Sequence, residues 1–360
     1  MSPARSPVEV SWFAALCDDD YEFLGVPDPA LESSFEHCRD IVLRADRGGF
    51  DNCLLPSGYA LGIDSVTFAG GVAPSLAQMA LLVAIRCGEL WPPMIARQLA
   101  SLDRMLGGRL AVNVISSDLA GAPLASAPRY RRSIEVMEIL RELLDGKAVA
   151  VDAEFHRLEV QPPRLRTVSG RCPPFYFGGF SEDAREAAAR AADVFLMWPD
   201  RMQVVRETMD DMKARAARHG RRLRFGYRVH VVVRETEDAA RAAADRLLSK
   251  LDDAAGAAIR NRSLDAGSAG VRRQAEVRAA SDGDGYVEEN LWTGIGRARS
   301  GCGAALVGNP DQVLAKLEAY ADLGIEAFIL SGYPHADECE RFARDVLPRL
   351  PHARLSAPPA

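Results

Sequence analysis

Arg224-Phe-Gly-Tyr-Arg228-Val-His230-Val-Val-Val233 reads as a strand whose two faces differ in kind. A side-chain period of two places Arg224, Gly226, Arg228 and His230 on one face. Phe225, Tyr227, Val229, Val231 and Val233 fall on the other. The apolar face should pack beneath outer helices, so the cationic face points into the interior of a closed sheet. A buried guanidinium needs compensation. Two readings follow: an internal salt bridge to a strand carboxylate, or a site where Arg228 and His230 bind an oxyanion or handle protons.

Outward from this strand, the chain repeats short β-type runs followed by amphipathic helices. Strands are predicted at Val8–Leu16, Asn52–Leu55, Ala80–Ile85, Leu110–Ile115, Pro174–Phe177, Val194–Met197, Leu223–Val233 and Ala327–Leu330. Helices are predicted near Leu31–Asp46, Pro92–Leu106, Tyr130–Leu144, Glu182–Ala192, Met202–His219, Glu237–Lys250, Pro310–Leu323 and His335–Leu347. Eight such units over 360 residues predict an α/β fold, a (β/α)8 TIM barrel with insertions. A doubly wound sheet is the competitor, but Cys17-Asp-Asp-Asp stands where it would carry a Gly-x-Gly-x-x-Gly turn. One domain is expected over residues 1–352. Insertions are expected at about 146–167, an extra hairpin, and 252–289, a mobile lid or a surface ornament, and a flexible tail at 353–360.

The composition excludes several classes. The formal net charge of −6 argues against non-specific nucleic-acid binding. No run approaches the ~18 apolar residues of a membrane helix, and the first residues lack a signal-peptide core. Seven scattered cysteines form no Cys-x-x-Cys pair, which points to reduced thiols in the cytoplasm rather than disulfides or a zinc site. No metal site is expected, because no His/Asp/Glu set shows ligand spacing.

Three further segments could carry chemistry. Phe177-Gly-Gly-Phe-Ser181 leads from the fifth strand into a helix. Its free N–H groups suit a phosphate, although an ordinary capped turn has the same sequence. The last strand ends Ser331-Gly-Tyr333-Pro-His335, placing a phenol and an imidazole where barrel enzymes keep their reacting groups; the bland reading is a helix start with His335 exposed. Gly294-Ile-Gly-Arg297-Ala-Arg299-Ser-Gly-Cys-Gly303 either clamps an anion or forms a flexible turn with solvated charges.

Together with Ala96-Arg-Gln98, Leu102-Asp-Arg104, Asn290-Leu-Trp292, Ala305-Leu-Val-Gly308 and Leu323 to His335, these segments resemble the bacterial luciferase-like flavin monooxygenases. The likeness is greatest to the two-component alkanesulfonate monooxygenases. The resemblance implies a barrel that takes reduced FMN from a separate NAD(P)H-dependent flavin reductase. The flavin reacts with dioxygen to a peroxide that attacks a small polar or anionic substrate, an alkanesulfonate or other organosulfur compound. By position, Tyr130 and Ser181, supported by Gly179, would bind the FMN phosphate, and Asn113 and Trp198 would line the flavin or substrate cavity. Arg228, His230, Arg299 and Tyr333 match the catalytic cluster, with His335 and Cys17 at its substrate side. The family usually forms homo-oligomers. Where alkanesulfonate enzymes carry a histidine after the first strand, this chain has Cys17-Asp18-Asp19; where they carry a cysteine after the second, it has Leu61-Gly62. The alternatives are a deazaflavin-dependent dehydrogenase of the same superfamily and a non-catalytic flavin-binding relative.

Overall fold

A computed structural model describes residues 6–60, 62–261 and 266–355. Eight parallel strands follow one another around a closed ring. They are Glu9–Phe13, Asn52–Leu55, Ala80–Arg86, Leu110–Ile115, Phe175–Gly178, Val194–Met197, Arg224–Val233 and Ala327–Ser331. The eighth pairs with both the seventh and the first, which closes the barrel. The expected (β/α)8 architecture is therefore the observed one.

Alternation within the strands separates two apolar layers. Phe225, Tyr227, Val229, Val231 and Val233 join the large core between sheet and helices. Phe13, Leu54, Leu82, Ala111, Tyr176 and Ile329 fill the barrel interior. The seventh strand thus divides its faces as its sequence predicts. Gly226 is required on the inner face, where a Cβ would press against the Leu196 and Val194 side chains.

Local sequence explains where the helices begin and end. Ser34 accepts from the His37 N–H to cap Phe35–Gly48, and Gly49 ends that helix at φ 87°. This cap moves the helix start from the predicted Leu31, which lies instead in a short 3-10 turn, Pro29–Leu31. Asn309 and Gln312 form a reciprocal capping box ahead of Pro310–Leu323. A helix at Ser65–Val72 was not expected, because its β-branched residues and Gly70-Gly71 are poor helix formers. Asp64 starts it by accepting from the Thr67 N–H.

Two segments interrupt the β/α repeat. The first is an antiparallel hairpin, Val149–Asp152 with Arg157–Val160. The second contains helices Asp253–Asn261 and Ala269–Ala279; residues 262–265 lie outside the described part. Beyond it, Ala305–Gly308 adds an unpredicted parallel strand to His230–Val233, the upper end of the long seventh strand. Leu291–Trp292 then pairs antiparallel with Ala305–Gly308. The chain past Ala353 differs from a free tail as far as Leu355: the Ala353 N–H bonds to Val8 O and the Leu355 N–H to the Glu9 carboxylate. Residues 356–360 lie outside the described part.

Candidate active site

A cavity of about 600 Å³ opens among the C-terminal ends of the strands. Its wall includes Asn113, Tyr130, Gly179, Ser181, Trp198, Arg228 and Arg299, seven of the residues singled out from sequence. His230, Tyr333, His335 and Cys17 are not on the wall. The first three are buried behind it, and Cys17 sits half-buried on the turn after the first strand.

The Gly178-Gly179 turn brings backbone close to the helix that follows. Ser181 caps that helix, its Oγ accepting from the Ala184 N–H at 3.2 Å. A Cβ at Gly179 would collide with the Ala184 methyl and lie 3.5 Å from the Tyr130 hydroxyl. Arg129, on the same wall, pairs with Asp118 at 3.1 Å. Backbone N–H groups, a phenol, a hydroxyl and a guanidinium therefore converge at a helix N-terminus, a donor set that fits a phosphate group.

Opposite lies the cationic face of the seventh strand. Arg228 is buried, and its hydrogen-bond partners among the described residues are all neutral: Val229 O at 3.1 Å, Ile329 O at 3.4 Å and Ser331 Oγ at 2.7 Å. Its guanidinium also covers the Phe13 ring at 4.4 Å. Burial and the neighbouring Arg299 work against its charge, and its pKa is pushed down to about 10 despite Cys302 and Tyr333. Of the two readings of this strand, a carboxylate pair is found for Arg224, which lies 3.7 Å from Glu326, but not for Arg228 among the described residues. Arg228 is a buried cation beside an open cavity.

Ser331 pairs in register with His230, and its Oγ lies 2.8 Å from Nδ1 of that ring. His230 Nε2 has no hydrogen-bond partner. Burial, then Arg228 and Arg299, push the His230 pKa well down, so the ring is neutral. Tyr333 stacks on His230 at 5.2 Å, and its phenol is pushed up chiefly by burial. Arg299 reaches the same phenol and also Asp19. Cys17 is pushed up to about 12, mainly by burial and then by Asp19, so its thiol stays protonated at neutral pH.

Trp198, more than a third exposed, gives the cavity an aromatic wall. The second insertion closes against it: a Cβ at Gly270 would stand 2.8 Å from its ring, and one at Gly301 3.2 Å. Gln274 ties this region together, donating to Pro199 O at 2.7 Å and accepting from the Gly303 N–H at 3.1 Å. The segment read as a lid or an ornament thus forms part of the cavity wall.

Sequence reasoning missed Phe13, Arg129, Ser331 and the separate partners of the Asp run. Ser331 had a legible signal, since strand register sets it beside His230. The aspartates had none: Asp18 Oδ1 accepts from the Ser33 N–H at 2.9 Å, Asp19 meets Arg299, and Asp20 meets His335. Among the described residues, no group of three His, Cys, Asp or Glu is arranged to hold a metal ion. No described helix is long and apolar enough to cross a membrane.

Residues 23–327 match the family model described as luciferase-like monooxygenase. The chain belongs to this family. Within the luciferase-like monooxygenases, it is 66% identical over 360 residues to the sulfoquinovose monooxygenase of Novosphingobium aromaticivorans, covering 98% of this chain and 99% of that one. It is 54% identical over 353 residues to the sulfoquinovose monooxygenase of Agrobacterium fabrum, covering 96% and 91%. A solved riboflavin lyase, with modified FMN and riboflavin, shares the fold at a TM-score of 0.78 and 17% identity, covering 96% of this chain and 91% of that one. Family membership agrees with the expected monooxygenase class. The curated relatives move the organosulfur comparison from simple alkanesulfonates to a sulfonated sugar.

Proposed function

We propose that this protein is a reduced-FMN-dependent monooxygenase that oxygenates sulfoquinovose at the carbon bearing the sulfonate. The observation that carries the reading is Arg228, a buried cation without a carboxylate partner on the wall of a cavity large enough for a small organic ligand. A sulfonate supplies the missing charge, and a hexose can lay its C–H face on the exposed indole of Trp198.

The chain's own residues divide the work. Tyr130, Gly179, Ser181 and Arg129 hold the FMN phosphate, and Asn113 faces the space beside it. When bound in its reduced form, the flavin supplies the electrons that activate dioxygen. Arg228 and Arg299 hold the sulfonate and stabilise negative charge that develops beside it. Tyr333 and neutral His230 supply polar groups behind that pair. One oxygen atom enters the substrate and the other leaves as water. The oxygenated carbon then becomes a carbonyl as the carbon–sulfur bond breaks and sulfite departs with the electron pair.

An NAD(P)H-dependent flavin reductase as donor, a homo-oligomeric assembly and a cytoplasmic setting, where the seven free cysteines stay reduced, belong to the same proposal. The test couples the protein to a flavin reductase with NADH and FMN, and follows sulfite release and oxygen uptake with sulfoquinovose, glucose and a short alkanesulfonate. Sulfite from sulfoquinovose, matched to oxygen consumed beyond the reductase background, is expected. Absence of both overturns the reading. Oxidation without oxygen uptake would favour a deazaflavin-type dehydrogenase instead.

A further inference from the structure

Three side chains from two neighbouring strands meet at the anion end of the cavity. Ser331 Oγ accepts from Arg228 Nη2 at 2.7 Å and lies 2.8 Å from Nδ1 of His230. Arg228 is on the cavity wall, whereas Ser331 and His230 are fully buried. Register brings them together: Ile329 pairs with Arg228 and Ser331 with His230, and all three polar side chains face inward.

The hydrogens of this cluster follow from counting. A guanidinium only donates, so the serine oxygen accepts from Arg228. If His230 donated to it as well, through an Nδ1–H, two groups would be stranded. The serine hydrogen would lack a partner among the described residues, and His230 Nε2 would be a bare acceptor. If the hydroxyl donates to Nδ1 instead, only the Nε2–H is left unpaired. The second arrangement wastes fewer buried polar groups. It also suits the neutral ring, whose protonation is opposed by burial and then by Arg228 and Arg299.

The guanidinium itself is held by two different means. Nη1 donates to the backbone oxygens of Val229 and Ile329, and Nη2 donates to Ser331. Ser331 is therefore the side chain that sets the rotation of the fork. A carboxylate in its place would grip Arg228 as firmly and cancel its charge. A hydroxyl orients the cation and leaves the charge for the cavity.

We propose that Ser331 is a positioning residue that aims the Arg228 guanidinium at the anionic end of the substrate, with its own hydroxyl proton held by His230 Nδ1. The proposal rests on the function given above and refines the anion end of that site. His230 needs no contact with substrate here. It takes the serine hydrogen, so that the serine oxygen presents a lone pair to Arg228.

The test compares S331A and S331T with the parent, using sulfate as a probe that carries the same tetrahedral oxyanion as a sulfonate. In the parent, 15N spectra should show His230 as a single neutral Nε2–H tautomer. S331A should mix the tautomers and weaken sulfate binding, read from the rise in Tm with sulfate concentration, about 10-fold. Its KM for sulfoquinovose should rise by a similar factor, with kcat less affected and reduced-FMN affinity unchanged. S331T keeps the hydroxyl and should restore the tautomer and most of the anion affinity. A purely structural serine would lower the urea midpoint and leave sulfate binding and the tautomer alone. That result, an Nδ1–H tautomer or no sulfate response in the parent, or equal loss of sulfate affinity in S331A and S331T overturns the proposal. Sulfate binding and ring spectra need no turnover. A parent that binds sulfate but releases no sulfite would count against the proposed function, while Ser331 is still judged by its anion response. If S331A does not fold, the ring spectrum of the parent and the behaviour of S331T decide.

Discussion

Arg299 Nη1 is shared between the Asp19 carboxylate at 2.5 Å and the Tyr333 hydroxyl at 2.8 Å. The two partners stand at opposite ends of the chain, on the turn after the first strand and just past the eighth. Burial opposes the charge on Arg299, but Tyr333 and Asp19 outweigh it and keep the guanidinium protonated. Removing one partner of a buried pair strands the other, at a cost of about 3 kcal/mol. D19N should lower stability by that order in urea denaturation and raise KM for an anionic substrate. An unchanged denaturation midpoint would remove the structural role assigned to this contact.

Arg228 is predicted to behave in the opposite way. It is buried beside neutral partners, so replacing it with methionine removes a desolvated charge. R228M should fold with stability equal to or above that of the parent and lose about 100-fold in turnover. The pH dependence has a definite sign. A base whose folded pKa is depressed from 12.5 to about 10 destabilises the fold below pH 10, and this penalty fades as pH rises from 10 toward 12.5. Added sulfite or sulfate should raise Tm for the parent and not for R228M. Equal anion responses would take Arg228 out of the anion site.

How much of this was legible follows from the range over which each signal acts. The alternation in Arg224–Val233 is local, so the inward cationic face was readable and the barrel followed from its repeats. Gly179 and Ser181 were readable because a turn and an N-cap are also local. The meanings of Asp19 and Asp20 were not: three consecutive aspartates look alike until the fold brings Arg299 and His335, about 300 residues away, against two of them. The strand Ala305–Gly308 was hidden for a related reason, since its pairing exists only because the seventh strand outruns the eighth. Depth behind the cavity surface was likewise illegible: His230 and Tyr333, read as catalytic, and His335, read as substrate-side, are buried behind the wall.

The phosphate end of the site makes its own prediction. G179A places a methyl against Ala184 and crowds the Tyr130 hydroxyl, so the turn must open. Reduced-FMN affinity should fall about 10-fold, equivalent to ~1.4 kcal/mol. S181A loses the cap to the Ala184 N–H and should cost roughly 1 kcal/mol of stability as well. Flavin titration by fluorescence separates the two: G179A should change binding more than melting, and S181A should change both. Wild-type affinity in both variants would move the phosphate site elsewhere.

At the other end of the barrel, Glu9 is enclosed with no cation among its hydrogen-bond partners in the described residues. Tyr176 donates to its Oε1 at 2.7 Å, the Leu355 N–H donates to Oε2 at 3.1 Å, and Asn52 lies more distant. Burial raises the Glu9 pKa, and these hydrogen bonds offset the rise only in part. An acid whose folded pKa lies above its unfolded value of 4.5 favours the fold when protonated. That contribution is complete below pH 4.5 and is lost as pH climbs through the raised folded value. E9Q, which keeps an acceptor for Tyr176 without the charge, should therefore stabilise the protein at pH 8 and gain little at pH 4.5. Y176F should destabilise it by about 1–3 kcal/mol at pH 8, because it takes the shortest bond from a buried carboxylate. Urea midpoints for both variants across that pH range decide the matter: a benefit of E9Q that grows toward acid would reverse the sign of the linkage and refute the assignment of Glu9 as an uncompensated buried acid.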